Sequence, residues 1–506
     1  MWTRRLRRVL ILFVASVVFL LQPDRDAKVR AFENAPAVQA QGSQLVFLPF
    51  VRGGSGNPTT EPLWRFGVDL SRQFFSAYNP LDVARLRLGW FTNFGVSPAT
   101  FGSMEYVPMV RMKQWKQQSD GTQTLCCVGC SYSNPPAYAI NPSLSQIQSI
   151  AASKPGMTWI VGNEMERIDW GSLGGTCGHQ DEMLPEVYAQ AYHDVYIALK
   201  SADPTAQVAL GAMVQPSPLR LEYLDRVWAE YTKQYGTMQV DVWTVHIYVY
   251  NEQKGSWGTD IPAGLTDTTH ATIRQVPDNK NFTLAAEMIV GWRTWMKNHG
   301  QQNKPLITPE YGSVIPDWWP AYGVPPTFSP SQVRDSFMYP SFDYFLNHTD
   351  PDLGFAADGN RLVQRWAWWS LDYDDGTCDP KDNKFYADNG GNLFFSGLGP
   401  SWGSTSCPFP AMGLSQFGTF WTQYVGNLPS GKSKPYASVL SAASSRQPAA
   451  PSAFLKYAPD SALCSDSPQA RARLLKSLPS RSTPEGQQAW LTTLTKLTPG
   501  TRICLP

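Results

Sequence analysis

Charge is what this 506-residue sequence has least of: Asp, Glu, Lys and Arg together make up only 16% of it. Neither sign prevails, with 42 Lys plus Arg against 41 Asp plus Glu and a formal net charge of +1. That balance gives no basis for a nucleic-acid surface or an acidic-lipid patch. Long apolar runs are scarce too. The run from Val9 to Leu21 has thirteen residues, short of the roughly 20 that span a bilayer comfortably. Zinc spacing is incomplete: Cys127-x-x-Cys130 has no second CxxC and no HxxxH to close a ligand set. No internal repeat is visible.

What is plentiful is aromatic. Phe, Trp and Tyr make up 13% of the chain, with 19 Trp. A charge-poor, aromatic-rich chain of this size suits a secreted protein that handles neutral, ring-shaped ligands, although much of the aromatic content must be ordinary core. The start, MWTRRLRRV, is a basic n-region before the thirteen-residue run, which fits a signal peptide. Val38-x-Ala40 before Gln41 has the small-residue pattern of a cleavage site. It lies far from the apolar run, so an uncleaved anchor through residues 9–21 stays open. Eight cysteines follow the export signal, an even number that favours disulfides. We expect one of Cys126, Cys127 and Cys130 to bridge to Cys177, Cys378 to pair with Cys407, and Cys464 with Cys504.

Residues 1–40 thus read as signal or anchor, 41–61 as a Gly/Pro/Thr-rich linker, 62–428 as the catalytic domain, and 429–506 as a Pro/Ser-rich linker with a small disulfide-bearing extension. Within 62–428, eight short apolar runs read as strands: 66–70, 85–90, 105–112, 159–163, 208–213, 240–248, 305–310 and 364–371. Helical patterns at 184–200, 219–236 and 283–300 alternate with the later ones. Strand–helix alternation implies a mostly parallel sheet, and eight such units point to a (β/α)8 TIM barrel. The first units are shortened, because 71–84 and 91–104 have room for at most short helices.

A barrel of this kind carries its active site at the C-terminal ends of its strands. Standing there are Trp90 and Asn93, Asn163 and Glu164, His246 and Tyr248, Glu310, and Trp366 with Trp368 and Trp369. Two carboxylates at two strand ends, among amides and aromatics, are the parts needed to break a glycosidic bond. One protonates the leaving oxygen; the other attacks the anomeric carbon or activates water. Glu166 competes with Glu164, and the Asn-Glu order favours Glu164. Arg87 is either a mouth arginine or a floor ion pair. The acidic run 371–383, with Asp372, Asp374, Asp375 and Asp379, lacks the full D-x-D-x-D-G pattern and reads as a solvated loop rather than a calcium site.

The motifs LGWFTNFG (88–95), MEYVPMV (104–110), GNE (162–164), VHIY (245–248) and PEYG (309–312) resemble, in this order, clan A retaining glycoside hydrolases. More closely they resemble the asl1-like glycosyl hydrolase catalytic core family of β-1,3-glucanase type. The similarity spans roughly residues 85–375. Met165 stands where that family usually has proline, and cysteine-bearing inserts follow strands three, four and eight. The resemblance implies Glu164 as acid/base and Glu310 as nucleophile. It further implies Asn163 on the sugar 2-hydroxyl, and His246 and Tyr248 orienting the nucleophile and lining the pocket. Trp368 becomes the platform under the sugar, and Trp90 and Asn93 substrate contacts. The expectation is a secreted, monomeric hydrolase of β-linked polysaccharide or oligosaccharide, without cofactor or metal, and with Glu164 protonated while Glu310 is ionised. The rival reading is a non-catalytic barrel that binds cell-surface polysaccharide.

Overall fold

The computed structural model describes residues 62–428 apart from 98–99, 126, 128, 169–179, 315–327, 375, 380–383, 388–389 and 400–406. The expected segments 1–40, 41–61 and 429–506 lie outside the described residues. Eight strand positions follow one another. They are β1 (Phe66–Asp69), β2 (Trp90–Thr92), β3 in two pieces (Glu105–Tyr106 and Met109–Gln114), β4 (Thr158–Asn163), β5 (Gln207–Ala212), β6 (Trp243–Thr244), β7 (Leu306–Tyr311) and β8 (Arg365–Trp368). Parallel pairing runs β1–β2, β2–β3, β3–β4, β4–β5, β6–β7, β7–β8 and β8–β1. A parallel bridge from Ala209 to Val242 joins β5 to the segment of β6. The ring closes as an α/β barrel.

Helices among the described residues that run between and after the strands include α1 (Pro80–Arg85), α2 (Leu144–Ser153), α3 (Pro185–Ala202), α4 (Pro218–Tyr235), α5 (Phe282–Asn298), α6 (Tyr339–Asn347) and α7 (Gln416–Gly426). Their starts are written in the sequence. Ser143 and Gln146 form a reciprocal capping box on α2, and Ser217 accepts from Arg220 N on α4. Proline occupies the first turn of α3 and α4, where its missing N–H is not needed. Two expected boundaries shift for stated reasons. The alternating RLRL at 85–88 does not extend β2 backwards, because Asn79 caps a helix at Pro80 that runs through Arg85. The third strand breaks at Val107-Pro108, since proline cannot donate to the ladder; its carbonyl still accepts from Ile160 N at 2.9 Å. No helix appears among the described residues from Asn93 to Met104.

Side chains alternate between two cores, as strands buried on both faces require. Trp90, Met109, Ile160, Ala209, Val242, Ile307 and Ala367 fill the barrel interior. Phe66, Val68, Val161, Leu210, Trp366 and Trp368 face outward against the helices. The interior is packed tightly enough to dictate glycine at 67, where a Cβ would come within 2.4 Å of the Trp90 indole. Strand period then aims Asp69, two residues on, at the barrel mouth.

The disulfide expectation is narrowed to Cys126 as the partner of Cys177. Cys127 bonds to Cys130, so neither bridges to Cys177; Cys126 and Cys177 lie outside the described residues. Cys407 is disulfide-bonded, while the side chain of Cys378 and residues Cys464 and Cys504 lie outside them. No helix among the described residues is long and apolar enough to cross a membrane.

Candidate active site

Glu164 and Glu310 reach the barrel mouth by different backbone devices. At the end of β4, Gly162 at φ 103° and Glu164 at φ 47° turn the chain sharply. A glutamate at positive φ stores roughly 1–3 kcal/mol of strain, which the surroundings must hold; Glu164 N does so by donating to Ala212 O at 2.8 Å. On β7, simple alternation from the interior residue Ile307 would turn Glu310 outward. Instead the register with β8 shifts between Thr308 and Tyr311. The extra residue re-aims Glu310 inward while Tyr311 joins the outer core.

One carboxylate oxygen of each glutamate and one ring nitrogen of His246 all lie within 4.8 Å of one another. His246 Nδ1 is 3.2 Å from Glu164 Oε1, and its Nε2 is 3.8 Å from Glu310 Oε2. Tyr248 donates its hydroxyl to Glu310 Oε1 at 2.7 Å. Glu164 Oε2 takes Arg167 Nη1 at 2.9 Å and Gln180 Nε2 at 3.3 Å. All are buried: Glu164 is 3% exposed, Glu310 9% and His246 0%.

Electrostatics sort these groups unevenly. Burial works against the Glu164 charge, but Arg167 and His246 outweigh it and hold the carboxyl well below the usual carboxylate range. Burial and the Glu164 charge push Glu310 up, against the pull of His246 and the Tyr248 hydroxyl. Burial lowers His246, and the two glutamates more than reverse that, so its pKa is raised. The resting order is therefore opposite to the expected one, in which Glu164 carries the proton. The cause is local: the turn at Glu164 brings Arg167, three residues on, against its own carboxylate.

Other expected residues fall in different places. Asn163 is buried at the end of β4, and Asn93 sits half-buried after β2, its Oδ1 accepting from Tyr106 OH at 2.7 Å. Trp90 is corrected from substrate contact to barrel core: it is fully buried level with Gly67, and its Nε1 donates to Arg65 O at 3.0 Å. Trp368 is likewise no platform. It faces outward, packed on Tyr311 and Phe337, with Nε1 bound to Gly391 O at 2.6 Å. Its neighbour Trp369, half-buried, turns the other way and clusters with Tyr248, Tyr250, Val214 and Val314. Glu166 is buried in an ion pair with Arg220 at 2.8 Å. Arg87 takes neither expected role; it donates to the Val425 and Leu428 carbonyls at the end of α7, where a cation is favoured. Asp372 is not solvated either, since it accepts from the backbone N–H of Ser71, Arg72 and Gln73 and from Tyr78 OH. Asp374 pairs with Arg72 at 2.9 Å. Asp375 and the side chain of Asp379 lie outside the described residues.

Residues not singled out from sequence complete the mouth beside Trp369: Asp69, Thr92, Arg167, Gln180 and Tyr250. Asp69 is fully buried, and neither of its oxygens has a hydrogen-bond partner. Burial and the nearby Glu310 charge raise its pKa well above the usual range. The signal was present, because FGVDL ends a strand on a carboxylate just as WIVGNE does.

Glu164, His246 and Glu310 are also spaced closely enough to surround a cation. The Arg167 guanidinium already supplies the positive charge at Glu164, so the trio is read as a proton-exchanging set.

No family model matches the chain, and no curated protein matches it. Solved structures similar to it include a monomeric β-xylosidase from Caulobacter crescentus CB15 (13% identity, TM-score 0.31, 62% of this chain and 61% of that one). Others are a glucosidase from Croceicoccus marinus (13%, 0.29, 57% and 47%) and xylanase 10B from Thermotoga maritima (13%, 0.33, 71% and 95%). The chain spans less than two thirds of the xylosidase and glucosidase chains. Likenesses at these scores establish neither family nor activity; the pairings and distances above carry the reading.

Proposed function

We propose that this chain is a glycoside hydrolase that cleaves β-linked glycans with retained configuration, Glu164 serving as acid/base and Glu310 as nucleophile. The observation that carries the reading is the approach of the two carboxylates to within 4.8 Å across the barrel mouth. Retaining pairs stand about 5–5.5 Å apart, whereas inverting pairs need ~6.5–9.5 Å to admit a water. Glu310 Oε2 attacks the anomeric carbon as Glu164 delivers its proton to the leaving oxygen. A glycosyl ester on Glu310 results. Glu164, now a base, takes a proton from the water that cleaves that ester. The Tyr248 hydrogen bond fixes Oε1 and leaves Oε2 to attack, whereas both oxygens of Glu164 are occupied by donors. Trp369, on the mouth side of β8, is the candidate sugar platform. Preference for β-1,3-glucan, action outside the cell and a monomeric state belong to the same proposal, on the sequence features given above.

Resting charges favour a second reading in which the roles are exchanged, Glu164 being the ionised partner. Azide decides between them: of the two alanine variants, the one that azide rescues to an inverted glycosyl azide has lost the nucleophile. The activity itself is tested by hydrolysis of a panel of β-glucans, mannans and xylans, with Glu310→Gln as control. Binding without cleavage by the unaltered protein would instead favour the non-catalytic barrel.

A further inference from the structure

The proposed chemistry needs its proton on Glu164, while the resting site places it elsewhere. Glu164 and Glu310 are each less than a tenth exposed, so exchange with bulk water is restricted. One side chain lies between them. The His246 imidazole is fully buried, with Nδ1 3.2 Å from Glu164 Oε1 and Nε2 3.8 Å from Glu310 Oε2. Nε2 has no hydrogen-bond partner of its own.

We infer that His246 is a proton shuttle between the two glutamates, converting the resting site into the reactive one when a glycan binds. The inference rests on the glycosidase reading and adds to it a role for the imidazole beyond orienting Glu310. In the resting site one proton is shared by His246 Nε2 and Glu310, the two groups whose pKa values are raised, while Nδ1–H of His246 points at Glu164. The Glu310 O–H bond breaks as Nε2–H forms; the Nδ1–H bond then breaks as an O–H forms on Glu164 Oε1. Glu310 is left as the carboxylate, Glu164 as the acid, and His246 neutral in its other tautomer. One proton has crossed with no outside acid or base. The 3.8 Å gap must close by under about 1 Å, as catalytic hydrogen bonds commonly do when substrate arrives.

The charges facing the ring draw a proton towards it. Glu164 and Glu310 face it, Glu166 lies near enough to act on it, and Arg167 acts through Glu164. The first two groups are shifted in opposite directions, Glu164 down and Glu310 up.

The test compares His246→Gln and His246→Asn with the unaltered full chain on two classes of β-glycoside. One class has a 2,4-dinitrophenyl leaving group, which needs no proton; the other has a sugar or alkyl leaving group, which does. The shuttle predicts a loss in kcat/KM of about 100-fold or more for the second class and under about tenfold for the first. Equal losses in both classes, or no loss, overturn the shuttle while leaving the glycosidase reading intact. An inactive unaltered protein overturns both. Nitrogen-15 NMR of histidine-labelled protein gives a readout independent of turnover. Glu164→Gln should shift the Nδ1 resonance of His246 and Glu310→Gln its Nε2 resonance; if neither moves, the shuttle is wrong.

Discussion

Glu164 and Glu166 stand two residues apart on the same turn, and both are buried. Glu166 shares Arg220 with Glu252, and Val214 N, Ser217 and Thr272 N add donors to the two carboxylates. That cluster ties the turn after β4 to the start of α4 and to the loops beyond β5 and β6. The cluster around Glu164 is satisfied differently. It gathers a second glutamate, a histidine with one unbonded nitrogen and, in Asp69, a carboxyl with no partner at all. Buried charge held by matched donors fixes a shape. Buried charge left partly unmatched costs stability that only a ligand or a reaction recovers. Glu166 keeps one unbonded oxygen and Glu164 none, so what separates the two glutamates is their company: Arg220 and Glu252 for Glu166, His246 and Glu310 for Glu164.

Substitutions in the two clusters should therefore fail in different ways. The largest effect is expected from Glu310→Gln: no turnover above background, with a Tm no lower than that of the unaltered chain, since the amide keeps an acceptor for Tyr248 and removes a carboxyl whose charge burial disfavours. Next is Glu164→Gln, with a loss of about 10²–10⁴-fold on substrates with poor leaving groups and far less on dinitrophenyl glycosides. In the other cluster, Arg220→Met should strand two buried carboxylates and destabilise the fold by about 3–5 kcal/mol in urea unfolding. Activity should then fall only with the folded fraction. The smallest effect concerns pH. Asp69 and Glu310 have raised pKa values in the folded chain, so folded protein holds protons that unfolded protein has released. Their effect is to make stability fall as pH rises from the ordinary carboxylate range towards the folded values. Glu164 acts oppositely, its contribution being present at neutral pH and lost as pH falls below that range. Thermal melts of Asp69→Asn should therefore gain on the unaltered chain as pH rises above about 4; a constant offset would refute the unpaired state of Asp69.

The barrel was legible because strands buried on both faces leave continuous apolar runs, and these can be counted. Glu164 and Glu310 were legible because each follows such a run. Their protonation order was not, since it depends on Arg167 folding back through a turn at positive φ, which the string GNEMER does not announce. Trp368 was placed at the mouth for a related reason. Adjacent tryptophans on one strand face opposite ways, and only the inward position of Ala367 tells which of them reaches the mouth. Trp90 was misplaced by level, standing one step below Thr92 rather than at the rim. Asp69 was overlooked although its strand ended in a carboxylate.

The most direct test of the central claim is proton NMR of the first-formed sugar released from a β-linked substrate by the unaltered protein, recorded before mutarotation. Attack by Glu310 followed by water predicts the β-anomer as first product. The α-anomer would mean a single displacement by water and would contradict the account.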